Sequence, residues 1–169
     1  MRFLALLRAA LLGGALFLPT SGYAAGREAP AFTLKDIHGK KFELASHLKK
    51  EVVVLDFFAT WCTPCLAELP ALQGFADKYG KDGLQVIVIS IDDPKDAAKV
   101  RELVQENGWK FPVLLDGDTT VVSLYDSAKT VPFSAVIDRA GTVASEHIGY
   151  KPGDEAKLEA ELKDLLARK

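Results

Sequence analysis

The chain holds few of the residue types that build cross-linked or metal-centred folds. Among its 169 residues are two cysteines and three histidines. So few cysteines exclude a scaffold stapled by several disulfides. A metal site could draw only on His38, His47 and His147 beyond the cysteine pair, with no second CxxC and no HxxxH to help. Neither charge sign dominates, with 21 Lys plus Arg against 23 Asp plus Glu, so the basic surface that nucleic acid requires is missing. There is no internal repeat, low-complexity stretch or interdomain linker, and 49% apolar content suits one sizeable core. The apolar run AALLGGALFL spans about ten residues, well short of the roughly 20 that a membrane-spanning helix needs.

That run sits between Arg2 and Arg8 on one side and Pro19 on the other, followed by small residues up to Ala24. This is the pattern of a secretory signal peptide over residues 1–24. Gly22 and Ala24 occupy the third and first places before the cut, whereas cutting after Ala25 would put Tyr23 in the wrong slot. The expected mature domain is therefore residues 25–169, with a net charge of about −4 once Arg2 and Arg8 are removed. The protein is expected in the periplasm or otherwise exported; an uncleaved segment acting as a membrane anchor is the alternative. Export places the cysteines where they are either paired or held reduced by a dedicated donor.

Alternation in AFTLKDIHGKKFEL, with Asp36, His38 and Gly39 supplying the turn, predicts an N-terminal β-hairpin. VVVLDFF (52–58) and LQVIVISI (84–91) are apolar on both faces and read as central strands covered on two sides. Between them Leu66, Leu69, Leu72, Phe75, Ala76 and Tyr79 recur at helical spacing, with a kink expected at Pro70 and an end at Gly80. A second helix is predicted from an Asp93 cap and Pro94 to Gly108. FPVLL then reads as a strand, TTVVSLYDSA as a short helix, and FSAVID with TVASEHIGY as two antiparallel strands. A closing helix from Asp154 to Arg168 has acids in its first turn and bases in its last. The βαβα order implies a parallel core in an α/β domain.

The stretch FFATWCTPCLAELP places the cysteine pair between a buried strand and a helix. At a helix N-terminus, unpaired N–H groups and the positive dipole end favour a thiolate, which makes Cys62 the expected nucleophile. Cys65, one turn on, can attack a mixed disulfide and release the reduced partner. No cofactor is expected, because the dithiol carries the electrons itself. A purely structural disulfide closing so short a loop would stabilise little, and a metal-handling module, copper in particular, stays as a non-catalytic alternative. Asp56 lies inside an apolar strand, so it should be neutral with a raised pKa or paired with a cation such as Lys49 or Lys50. Glu68 follows Cys65 by three positions on nearly the same helical face; it is either a tuning group or a solvated helix glutamate. Trp61, beside the nucleophile, is either core or an apolar contact for a docking polypeptide.

The runs VVVLDFFATWCTPCLAELP, TVPFSAVIDRAGTV and HIGY together resemble the thioredoxin-like family, specifically its exported TlpA/ResA-type thiol:disulfide oxidoreductases, over about residues 27–168. The opening APAFTLKDIHGKKFELASHLKKEVVVLDF is similar to the front extension that this branch shares with peroxiredoxins. The resemblance implies a thioredoxin-like fold: a central mixed β-sheet flanked by helices, with the CxxC opening the first main helix. It implies that Asp56 accepts a proton from the inner cysteine and that Glu68 tunes the pair. It further implies that Pro132 is cis and faces the CxxC, leaving the Val131 backbone to pair with a substrate strand. The expected activity is reduction of protein disulfides, with clients in cytochrome c or respiratory oxidase assembly. A membrane-bound thiol donor would supply the electrons, and a monomer is expected. The rival enzyme, a peroxide reductase, requires P-x-x-x-T-x-x-C. Ala59 and Leu55 stand at the threonine and proline places before Cys62, and Cys62 and Phe58 before Cys65, so that motif is absent.

Overall fold

The computed structural model describes residues 26–168, so the expected signal segment at 1–24 and its cleavage point lie outside the described residues. The front hairpin forms as β1 (Thr33–Asp36) and β2 (Lys41–Glu43). Its turn is closed by Asp36 Oδ1, which accepts the N–H groups of His38 at 2.9 Å and Lys40 at 2.8 Å, while Gly39 takes the positive φ of 82°. The two apolar runs become β3 (Val52–Phe58) and β4 (Leu84–Ser90), paired in parallel from Val52 opposite Leu84 to Phe58 opposite Ser90. Every residue of β3 is buried, as expected of a strand covered on both faces.

Between them runs α1 (Thr63–Tyr79), which continues unbroken through Pro70. It ends at Tyr79 with Gly80 as its cap, as its composition suggests. Gly80 keeps right-handed helical geometry, a 3-10 turn carries the chain to Asp82, and Gly83 makes the left-handed stop at φ 94°. After β4, Asp93 accepts from the Lys95 N–H and opens a short 3-10 turn at Pro94–Asp96, followed by α2 (Ala97–Asn107) with Gly108 as its left-handed cap. β5 (Val113–Leu115) pairs in parallel with β4, and β1 pairs antiparallel with β5, so the hairpin extends the sheet at that edge. The chain then passes through the short α3 (Val122–Tyr125) into β6 (Phe133–Ile137) and β7 (Val143–Ile148). It closes with α4 (Asp154–Ala167), whose last turn holds no basic residue because Arg168 lies at the cap beyond it.

The result is a seven-stranded mixed sheet ordered β2-β1-β5-β4-β3-β6-β7. The crossovers from β3 to β4 and from β4 to β5 step the same way along the sheet, and right-handed connections therefore put α1 and α2 on one face. Side-chain alternation along β3 then decides what meets what. Val52, Val54 and Phe58 pack with Leu69 and Leu72 of α1, Val100 of α2 and Leu162 of α4. Val53, Leu55 and Phe57 face the opposite layer, built from Phe32, Leu44, Val122 and Tyr125. Asp56 has the parity of the first set and so points toward α1.

Candidate active site

Cys62 and Cys65 form a disulfide with Cα atoms 5.3 Å apart. Cys62 is the N-cap of α1, and its sulfur accepts the Cys65 backbone N–H at 3.3 Å. Thr63 and Pro64 fill the first helical positions, where proline loses no hydrogen bond. Cys62 keeps 5% exposure and Cys65 none, so the outer sulfur is the one a partner can reach. Trp61 is not core: at 69% exposure it stands beside the disulfide as an uncovered aromatic. The Val131–Pro132 peptide bond is cis, Pro132 is buried, and Val131 packs against the same cluster that holds both cysteines.

Two acids meet at Ser134 between β3 and α1, with Glu68 three positions after Cys65 on the helix. Antiparallel pairing sets Asp56 opposite Ser134 of β6, on the face that looks toward α1. Ser134 Oγ is 3.0 Å from Asp56 Oδ1 and 3.5 Å from Glu68 Oε1, so one hydroxyl proton serves two carboxyl groups. Asp56 Oδ2 and Glu68 Oε2 are buried with no hydrogen-bond partner among the described residues. Lys49 instead reaches Glu28 at 3.8 Å and Lys50 donates to the Ser46 carbonyl at 2.9 Å, which rules out the cation-paired reading of Asp56. Glu68, at 7% exposure, is not a solvated helix residue either.

Burial lifts Asp56 from the ordinary carboxylate range to about 7, with the Ser134 hydrogen bond opposing part of the rise. Burial, reinforced by the neighbouring Asp56 charge, lifts Glu68 to about 8. Two carboxylates that share a single donor cannot both be comfortably ionised, so the pair holds a proton into the neutral range. Glu68 also lines a cavity of about 310 Å³ with His147, Tyr150 and Asp154. Ser134 escaped the sequence reading because a lone serine in FSAVI carries no signal until the register of β6 against β3 is known. Among the described residues no group of three or more His, Cys, Asp or Glu is placed to hold a metal ion, and no helix is long and apolar enough to cross a membrane.

A disulfide capping the first long helix and a cis-proline leading into β6, on a mixed sheet of this order, define the thioredoxin-like class of thiol:disulfide oxidoreductases. The chain belongs to the AhpC/TSA family, whose model matches residues 25–146. It is 36% identical over 130 residues to the thiol-disulfide oxidoreductase ResA of Bacillus cereus, covering 77% of this chain and 73% of the relative. The ResA of Bacillus subtilis is 33% identical over 129 residues, covering 76% and 70%. Among solved structures, a Chlorobium tepidum protein assigned the name thiol:disulfide interchange protein DsbE superposes with a TM-score of 0.79 at 30% identity, over 86% of this chain and all of that one. StoA from Bacillus subtilis shares the fold, with a TM-score of 0.63 at 24% identity over 78% of this chain and 96% of that one.

Proposed function

We propose that this oxidoreductase is exported and works as a reductant of protein disulfides, taking electrons from a membrane-bound thiol donor. Its clients are oxidised cysteine pairs of proteins in cytochrome c or respiratory oxidase assembly. The Cys62 thiolate attacks one sulfur of the client disulfide, breaking that bond, releasing the other client sulfur as a thiolate and forming a mixed disulfide. Cys65 then attacks the Cys62 sulfur, expelling the client thiolate and leaving Cys62–Cys65 oxidised, so two electrons pass to the client. Asp56 and Glu68 take up and return the proton of the inner thiol, with Ser134 linking them and the cavity beside Glu68 giving the proton a way to solvent. Trp61 and the segment at Val131 and Pro132 receive the client chain as an added strand.

The observation that carries the reductive direction is the buried acid pair, whose Glu68 lies one helical turn from Cys65. The single charge that the pair carries beside its retained proton opposes formation of thiolate, so the reduced form is not stabilised as it is in strongly oxidising relatives of this fold, and electrons leave readily. The test is the reduction potential of the Cys62–Cys65 couple, titrated against defined thiol buffers with residues 1–24 removed. A value near roughly −270 mV fits a donor, whereas one near about −120 mV means an oxidant and reverses the proposed flow.

A further inference from the structure

The turn that leads into Cys62 is held by a buried carboxylate from the end of β4. Asp92 follows β4 and is buried at 6% exposure, with no cation within salt-bridge distance among the described residues. Its Oδ1 accepts the Thr60 hydroxyl at 2.7 Å, and its Oδ2 accepts the Thr60 backbone N–H at 3.0 Å. Ser90 completes the cluster, donating its hydroxyl to Asp92 Oδ2 at 2.8 Å and accepting the Asp92 N–H at 3.1 Å. Thr60 is the first corner of a turn closed by the Cys62 N–H on the Ala59 carbonyl at 3.0 Å. That turn presents Trp61 and seats Cys62 as the helix cap.

We propose that Asp92 is a positioning residue for Cys62, acting through Thr60. Burying a carboxylate is costly unless hydrogen bonds satisfy it, and most of those it makes go to one residue, two places before the cysteine. A side chain that grips both the N–H and the hydroxyl of Thr60 removes that corner's rotational freedom. With the corner held, the Cys62 sulfur stays where the Cys65 N–H can stabilise its thiolate in the reduced protein. Releasing the grip lets the cap sample positions without that hydrogen bond, and the thiolate population falls.

The proposal rests on Cys62 being the attacking sulfur, so the readout identifies the sulfur as well as the rate. Reduced protein is alkylated with iodoacetamide at pH 7, and the modified cysteine is located by mass spectrometry over time. Asp92→Asn and Thr60→Val should each slow Cys62 alkylation roughly tenfold, the worth of about one hydrogen bond to a charged group. The double variant should fall well short of additive slowing, because the hydroxyl contact that Thr60→Val removes is one of the contacts that Asp92 makes with Thr60. Thr60→Ser, which keeps the hydroxyl, should restore the rate. Thr60 is half-exposed and valine is nearly isosteric, so that variant decides the matter even if Asp92→Asn does not fold. A folded Thr60→Val protein with wild-type alkylation, or additive slowing in the double variant, would overturn the proposal. Prior alkylation of Cys65 in the wild type would overturn it by removing its premise, and the mass spectrum separates that failure from the others.

Discussion

Replacing Asp56 by asparagine should make this protein more stable at high pH and less stable at low pH, with the two stability curves crossing between. The aspartate rises from an ordinary 3.8 to about 7 on folding. Between those values the native state holds a proton that the unfolded chain has released, so stability falls as pH rises across that window. This is opposite to the behaviour of a salt-bridged carboxylate. Three units at about 1.4 kcal/mol each give a loss of about 4 kcal/mol, absent below pH 4 and complete above the folded value. Asparagine is neutral throughout and escapes that loss. It instead puts an amide nitrogen where Oδ2 is buried without a partner, at a pH-independent cost of about 1–3 kcal/mol. The variant should therefore be about 1–3 kcal/mol less stable at pH 4 and about 1–3 kcal/mol more stable at pH 9. Urea unfolding of the disulfide-intact proteins at pH 4, 5.5, 7 and 9 measures this; of the other titrations only that of Glu68 changes, because it loses the Asp56 charge that raises it, which favours the variant further at high pH. The reasoning fails if the variant keeps the wild-type pH slope, or if wild type is the more stable protein at every pH.

The same variant should slow insulin-disulfide turnover at pH 7 by roughly a hundredfold, the lower end of what a positioned proton acceptor contributes; unchanged kinetics would remove Asp56 from the proton path. Cys62→Ser should abolish turnover while Cys65→Ser accumulates mixed disulfides visible on non-reducing gels, and trapping by the opposite variant would exchange their roles. Ser134→Ala strips the only side-chain hydrogen bond that either acid has among the described residues and should cost about 1–3 kcal/mol in urea unfolding. Trp61→Ala should raise KM for a protein disulfide by roughly fivefold to tenfold while leaving reduction of a small-molecule disulfide untouched, the outcome that the proposed docking role of the uncovered indole requires.

Much of the fold is local enough to be written in the chain itself. The apolar runs at 52–58 and 84–90 could only be strands covered on both sides, and the helical spacing from Leu66 to Tyr79 could only be their crossover. The turn at Asp36 to Gly39, the cap at Asp93 and the stop at Gly108 are each set by the conformational preference of one or two residues. The cysteine pair announces its chemistry for the same reason, because spacing and helix position suffice to put two sulfurs in reach. What the chain does not display is pairing across long separations. The addition of the front hairpin to β5 depends on a sheet edge that exists only once β4 and β5 are in place. Asp56, Glu68 and Ser134 lie up to 78 residues apart and meet through the β3–β6 register and the face that α1 covers. Asp92 reaches Thr60 across 32 residues at the ends of two parallel strands. An acid in an apolar strand shows that something must compensate it. Which group does so is decided by register, because a shift of one residue would turn Ser134 to the opposite face.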